Sequence, residues 1–475
     1  MGYFILGVVG LIVLLFAVCV IRVLLAPKGA TIQVIPEVDP NRAVAYGEKL
    51  SQLIQVETVS SVESDNLEKF YGFQKVMETQ FPRIHEVCEK HDFRGSVLFK
   101  WKGLASDRPI LVMNHFDVVE ASGKWRFPPF SGTIAEGKVY GRGALDDKGP
   151  FFVMYQGIEE LIESGFVPNQ DVYIASTCTE EIGGEGAGLI ADYLDQQGLQ
   201  FDFLLDEGGM IVDEPLPGLK GLYAMVGVVE KGNGDVKFIA RGHGGHASAP
   251  GKQTPLVRLG EFMASVEKHY PLKSEVSSTL SEMIRRLSPQ LPFMMRLVTE
   301  NLWLFKPVIT QVAKLNPSLA AMTRTTVAFT TAKGSDGFNV LPQEAYVTAN
   351  IRYSPHQAVE ETHRILQQRA KKYNLELEVI QAQEPAPVVD YQNKPFQRIE
   401  ATIASLYPGL VITPYIMTGA TDARFYNHLT KDGIRFAPLK ITTKQMETIH
   451  GIDENIDLSS LPLGVDFYKE LIKGL

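Results

Sequence analysis

Residues 110–117 read Ile-Leu-Val-Met-Asn-His-Phe-Asp: four apolar residues without alternation, then an amide, an imidazole and, one residue on, a carboxylate. The same grammar recurs at 172–175, which runs on to Thr179-Glu180-Glu181, and at 203–205, which runs into Asp206-Glu207. A short apolar run with no polar alternation reads as a strand buried on both faces. Helical patterns over 151–164 and 188–197 separate these runs. The alternation predicts an α/β fold around a mostly parallel sheet. Such sheets take ligands beyond the carboxyl ends of their strands, where this chain carries its acids and histidines.

Working outward, Asp39 and Pro40 open a helix over 40–55 that begins the soluble body. A first part of the larger domain spans 40–221. From Leu222 the texture changes to strands at 222–229 and 236–240, a helix at 255–270, strands at 345–352 and 375–379, and a helix at 357–373. This predicts a smaller inserted α+β domain over 222–388. The chain then returns to the first sheet over 389–475, with a strand at 410–416 and a helix at 461–472. Within the insertion, 271–325 is unusually apolar and predicts two or three amphipathic helices. They serve either as extra core for the small domain or as an apolar wall facing substrate or membrane.

The 475 residues suffice for more than one domain, and 45% hydrophobic with 21% charged residues excludes both wholesale disorder and a polytopic membrane protein. With 46 Lys+Arg against 55 Asp+Glu, the net charge of -9 excludes the basic footprint of nucleic-acid binding. Cys19, Cys88 and Cys178 form no C-x-x-C pair, so any metal must be held by His and carboxylate. No charge interrupts residues 3–21, and Val23, Leu24 and Leu25 continue the run past Arg22. A run of about 20 apolar residues matches a bilayer-spanning helix and exceeds the core of about 7–15 residues of a secretory signal. Residues 1–30 are therefore expected to be a membrane anchor, with a cleaved signal as the alternative. Arg22 and Lys28 follow the run, which by the positive-inside rule argues for a cytoplasmic body.

Acids and imidazoles at the strand ends set the chemistry: His115 with Asp117, Asp146-Asp147, Glu180-Glu181, Asp206-Glu207 and His450. Two adjacent anions closing a buried strand repel unless cations neutralise them. Carboxylate oxygens and imidazole nitrogens suit Zn²⁺, with Mn²⁺ and Co²⁺ also compatible. Two His and several carboxylates can serve two metals that share a bridging carboxylate, which predicts a two-metal hydrolase.

Eight stretches carry a family resemblance: N-H-F-D-V-V at 114–119, G-R-G-A-L-D-D-K-G at 141–149, T-E-E-I-G-G at 179–184, L-L-D-E-G-G at 204–209, G-H-A-S-A-P at 245–250, N-V-L-P at 339–342, G-A-T-D-A-R at 419–424 and H-G-I-D-E-N-I at 450–456. In these motifs the chain resembles the di-zinc exopeptidases and amidohydrolases that include aminoacylase, carboxypeptidase S, peptidase T, carnosinase and succinyl-diaminopimelate desuccinylase. They span almost the whole soluble body. The resemblance implies a zinc-exopeptidase sheet domain with an inserted ferredoxin-like lid that also mediates dimerisation, and two Zn²⁺ per subunit.

It also implies roles. His115 and His450 resemble the ligands of the two metals, and Asp146 the bridging carboxylate, with a cis peptide following it and Asp147 as its rival. Glu181 resembles a ligand on the His450 side and Glu180 the general base. Asp206, falling directly after the apolar strand, resembles the remaining ligand on the His115 side, with Glu207 as its rival. Asp117 resembles the carboxylate that fixes the His115 tautomer. His246 resembles the residue that, in dimeric relatives, enters the neighbouring subunit's site and stabilises the oxyanion; His243 lies outside the motif. Asn339 and Arg352 resemble substrate-side residues, an Arg fork suiting a terminal carboxylate, although Arg352 also reads as a surface charge on an edge strand. Gly419 and Arg424 line the same pocket.

The implied activity is hydrolysis of a peptide or N-acyl amide bond next to a free carboxylate, by metal-bound hydroxide with Glu180 as base. The apolar insertion and N-terminal run look most like carboxypeptidase S and the secreted N-fatty-acyl amino acid hydrolases, which also run as synthases. That resemblance implies an extracytoplasmic body, against the weak charge signal. Two other classes compete: a membrane-tethered, non-catalytic binding protein of the same fold, which predicts a broken ligand position, and a deacylase of small metabolites.

Overall fold

The computed structural model describes residues 2–29, 36–63, 66–215 and 219–475. Strand Ala105–His115 sits at the centre of a ten-stranded mixed sheet, parallel to Gln170–Thr177 on one side and Leu204–Asp206 on the other. Gly433–Arg435 extends the parallel centre. Antiparallel strands Ser96–Trp101 and Glu89–Phe93 flank one edge, and Leu222–Glu230 lies toward the other, antiparallel to Gly433–Arg435 and parallel to Val411–Met417.

Helices cover both faces, which explains the unalternating strands. Ile110 and Val112 pack into a core with Phe151 and Tyr155 of helix Lys148–Glu163 and Val465 and Tyr468 of helix Leu461–Lys473. Leu111 and Met113 point the other way, toward Ala187, Ile190 and Leu194 of helix Glu185–Gln196. Opposite faces of one strand thus meet different helices, and over 110–113 neither carries a polar residue. Helix Pro40–Ile54 begins as expected: the Asp39 carboxylate accepts the Asn41 N–H and Pro40 occupies the first turn.

A second, antiparallel sheet runs in the order Thr326–Lys333, Glu344–Tyr353, Gly232–Arg241, Glu376–Ala382. Helices Pro255–Lys268 and Val359–Lys371 cover one face, where Leu259, Phe262 and Leu366 pack on Val236, Phe238, Val347 and Ile351. The alternating burial along Glu344–Tyr353 follows from having one face on those helices and the other in solvent.

Two expectations are corrected. Leu222–Glu230, expected to open the inserted domain, belongs to the ten-stranded sheet. It is buried at every position after Leu222, as a strand covered on both faces must be, and alternation starts only at Gly232. The crossover is Lys231, whose buried ammonium donates to the carbonyls of Ala321 and Arg324. Nor is 271–325 simply extra core for the small domain. Helix Ser278–Leu287 packs on strand Val411–Met417, and Val276, Leu280, Met283 and Leu287 join the core of the large sheet. Helices Phe293–Thr299 and Leu302–Ala313 lie against the N-terminal helix Gly2–Leu25.

Candidate metal centre

His115 closes the central strand with its ring buried. Its Nε2 lies 3.0 Å from Asp146 Oδ1 and 3.5 Å from Glu207 Oε1. The other oxygen of Asp146 is 3.0 Å from His450 Nε2, and Glu181 Oε2 is 3.2 Å from that same nitrogen. Asp146 therefore stands between the two imidazoles. It sits at a cis peptide to Asp147. His450 has φ 59, a left-handed conformation uncommon outside glycine, so its position depends on its surroundings.

Asp117 organises the neighbouring turn. Its backbone carbonyl and its Oδ1 lie 3.0 and 3.3 Å from His115 Nδ1, and its two carboxylate oxygens accept the N–H groups of Glu180 and Glu181, both at 3.1 Å. Those two residues form a single 3₁₀ turn, Glu180–Ile182, rather than continuing the strand. Side chains that a strand would send to opposite faces can then converge. Gly183 (φ 100) and Gly184 (φ 78) carry the chain out of that turn through left-handed conformations. The Glu180 carboxylate lies 3.8 Å from Arg424 Nη1.

On the His115 side the expectation for Asp206 is corrected. Its Oδ1 accepts the Glu207 N–H and its Oδ2 the Ala423 N–H, both at 2.9 Å, beneath the loop that carries Arg424. Those two N–H groups occupy both Asp206 oxygens at the last position of its strand, beside the core that takes in Ala423 and Tyr426, while Glu207 steps past the strand end and turns to His115. Asp147 is fully buried, its Oδ2 accepting from Asn114 Nδ2 at 2.8 Å and from the His115 N–H at 3.2 Å.

Burial governs the acids. It pushes the carboxyls of Glu180, Asp147 and Glu207 above the usual range, and raises Asp206 to about 8 and Asp422 to about 6. Burial also disfavours the charged Asp146, but hydrogen bonds from His115 and His450 outweigh it and hold that carboxyl well below the ordinary value. Asp146 and Glu181 raise the His450 imidazole to about 10. Burial works against the His115 cation, yet Asp117, Asp146 and Glu207 drive its pKa well upward.

The residues fit divalent cations. His115, Asp147 and Glu207 offer ligand atoms within 4.8 Å of one another, and so do His115, Asp146 and Glu181. Asp147 Oδ1 and Glu181 Oε1 are buried without a hydrogen-bond partner. Nitrogen and carboxylate donors with unused buried lone pairs are what Zn²⁺, Mn²⁺ or Co²⁺ requires.

Two supporting residues escaped notice in the sequence, although both lie inside motifs that were read there. Glu454, fully buried, accepts from Arg142 Nη1 at 2.7 Å and from the N–H groups of Gly143, Leu145 and Asp146 at 3.1, 2.7 and 3.1 Å. It fixes the turn that presents Asp146. Asp422 accepts from Thr177 Oγ1 at 2.6 Å.

The lid residues stand apart. His246 is exposed on a two-stranded ribbon with Val340–Leu341, its Nδ1 2.7 Å from Ser248 Oγ, and the Asn339 carbonyl accepts the Ala247 N–H at 2.9 Å. Arg352 lies on strand Glu344–Tyr353, paired with Asn233 and Thr326. Among the described residues, no hydrogen bond or ion pair joins His246, Asn339 or Arg352 to the histidine–carboxylate cluster. Gly419 lies in the loop after strand Val411–Met417, with open space beside its Cα.

Comparison with known proteins gives the same direction throughout. The chain is 34% identical over 447 residues to a probable carboxypeptidase S-like protein of Dictyostelium discoideum, covering 91% of this chain and 85% of that one. It is 34% identical over 444 residues to the N-fatty-acyl-amino acid synthase/hydrolase of Homo sapiens, covering 91% and 88%. An M20 family metallo-carboxypeptidase from Sulfolobus solfataricus shares the fold, with a TM-score of 0.66 at 17% identity over 92% of this chain and 99% of that one. Residues 111–474, which include every member of the cluster, match the family described as peptidase family M20/M25/M40, and the chain belongs to that family.

Proposed function

We propose that this protein hydrolyses a peptide or N-acyl amide bond next to a free carboxylate, with two divalent metal ions, zinc foremost, held by His115, Asp146, Glu181, Glu207 and His450. The observation that carries this reading is Asp146, one oxygen on each imidazole, with Glu207 beside the first and Glu181 beside the second. When bound, the metals supply Lewis acidity to the scissile carbonyl and to water. Glu180 takes the proton from the attacking water and returns it to the departing amine; its burial raises its proton affinity above that of a free carboxylate. Asp117, beside His115 Nδ1, fixes the tautomer that leaves Nε2 free to ligate. Arg424 lies beside Glu180 and, with Gly419, lines the approach.

His246 acts from the lid of a second copy, donating to the developing oxyanion, while Arg352 and Asn339 take the substrate carboxylate. This is the role the family resemblance gives them, and their separation from the cluster within one chain supports it. Helix Gly2–Leu25, long and apolar enough to span a bilayer and almost wholly exposed, anchors the enzyme in a membrane. With an apolar insertion against that anchor, long-chain N-acyl amino acids are the favoured substrates and C-terminal dipeptides the second class. A panel comparing N-oleoyl-phenylalanine with a blocked Gly-Leu dipeptide tests this. Release of phenylalanine is expected, and cleavage of the dipeptide alone would overturn the lipid assignment.

A further inference from the structure

The segment 293–315 supplies no residue to the metal centre, yet it is where the soluble body meets the N-terminal helix. Leu297 packs with Cys19 and Val23 in a small core that also takes in Val20, Leu304 and Phe305. The last turn of an isolated helix leaves carbonyls without partners, and here side chains from this segment meet them. Arg296 Nη2 donates to the carbonyl of Val23 in that turn at 3.4 Å and to those of Ala26 and Pro27 just beyond the helix at 3.2 and 2.9 Å, and Asn301 Nδ2 donates to that of Cys19, a turn earlier, at 3.2 Å. Arg22 returns a hydrogen bond to the Glu300 carbonyl at 3.4 Å. The two parts are joined by polar and apolar contacts, so the height of the helix in a bilayer fixes the height of the segment.

Cys19 precedes Leu25, the last residue of the helix, by six positions, about 9 Å along the axis at 1.5 Å per residue. A helix of 24 residues is about 36 Å long and just exceeds the hydrocarbon thickness of about 30 Å. Side chains touching Cys19 and Val20 therefore lie below the level at which the helix leaves the hydrocarbon. The surface that would enter with them is apolar. Met294, Trp303 and Leu315 are 72%, 54% and 85% exposed, and Phe293, Val308 and Val312 are exposed beside them. Residues 301–323 contain Lys306 and Lys314 and no acid, and both lysines are exposed.

We propose that helices Phe293–Thr299 and Leu302–Ala313 form a second membrane contact, lying in the leaflet from which the anchor emerges, with their apolar side chains among the acyl chains and Lys306 and Lys314 at anionic headgroups. An interfacial helix buries its apolar face about 5–10 Å deep, the depth set by the contact at Cys19. Trp303 suits the boundary, where an indole keeps one edge wet. The inference rests on the anchor reading.

The test uses the full chain in vesicles of phosphatidylcholine with one-fifth phosphatidylserine. Environment-sensitive fluorophores are placed through Met294→Cys or Val312→Cys, with Ile12→Cys in the anchor and Leu104→Cys, 76% exposed on the body, as references; the three native cysteines are buried. Expected are blue-shifted emission at 294 and 312 and quenching by lipid-borne nitroxide several-fold above that at 104. If 12 is quenched by lipid while 294 and 312 behave as 104 does, the second contact is wrong and the anchor stands. If 12 is also in water, the anchor reading falls and the inference with it. Shielding at 294 and 312 without lipid quenching would assign the surface to a second protein copy and overturn the proposal.

Discussion

At the scale of single residues, the acid on the His115 side separates what a sequence shows from what it hides. Residue types, order and spacing identify two imidazoles and a set of carboxylates, and the structure brings His115, Asp146, Glu181 and His450 together. Between Asp206 and Glu207 the sequence offers only adjacency. The decision depends on where the pleat stops, a property of the sheet and not of either residue. The two acids should respond differently to change. Glu207→Gln removes a charged donor beside His115 and is expected to lower metal affinity by 10-fold or more, with loss of turnover in step. Asp206→Asn keeps one acceptor oxygen but leaves a backbone N–H without its partner, at a stability cost of about 1–3 kcal/mol, with metal stoichiometry unchanged. Metal analysis and thermal melting of both variants check this; loss of metal from Asp206→Asn with retention in Glu207→Gln would reverse the assignment.

At the scale of elements, the parallel core was legible because strands covered on both faces must be uniformly apolar, and 110–113, 172–175 and 203–205 are. The same property misplaced 222–230. A strand of the large sheet stands next in the chain to a strand of the small one with only Lys231 between them, and the Gly232-Asn233-Gly234 that follows, a turn signal by composition, lies inside the second strand. The turn 141–147 shows how an element positions a site. Three of its N–H groups and Arg142 converge on one buried carboxylate, that of Glu454, more than 300 residues away in the chain. Its partners cannot be read from sequence, since no local pattern encodes that distance. Glu454→Gln uncharges one side of a buried pair with Arg142 and is expected to cost about 3–5 kcal/mol. It should also weaken metal binding, because the turn that presents Asp146 loosens. Melting temperature and zinc affinity should fall together; a stable variant with unchanged affinity would show that the turn holds itself.

At the scale of the whole molecule, two properties belong to no single residue. The first is the proposed division of the site between two copies. Glu180→Gln should lower kcat by about 10²- to 10⁴-fold with metal retained, and His246→Ala should also inactivate. If His246 acts across a dimer, mixing the two inactive chains restores activity, since one site of each mixed dimer has an intact Glu180 and a partner's intact His246. Mixtures as inactive as their components would place His246 in its own chain's site. The second property is the excess of acid at the strand ends. Asp206 and Asp422 are held protonated by burial up to about 8 and about 6, whereas the unfolded chain releases those protons near 3.8. Stability from such groups is complete below the unfolded value and falls as pH rises toward the folded one, by up to about 1.4 kcal/mol per pH unit for each group. His450, raised to about 10, acts in the same direction above its ordinary 6.5. Lys148, lowered to about 7 by burial, opposes this only above pH 7, where the folded chain has lost a proton that the unfolded chain keeps. Between pH 4.5 and 7 the chelated protein should therefore lose melting temperature as pH rises. Zinc competes with these protons and binds more tightly as they leave, so the gap between zinc-loaded and chelated melting temperatures should widen over the same interval. A chelated protein that grew more stable toward pH 7 would mean that the buried carboxyls do not hold their protons in the folded chain.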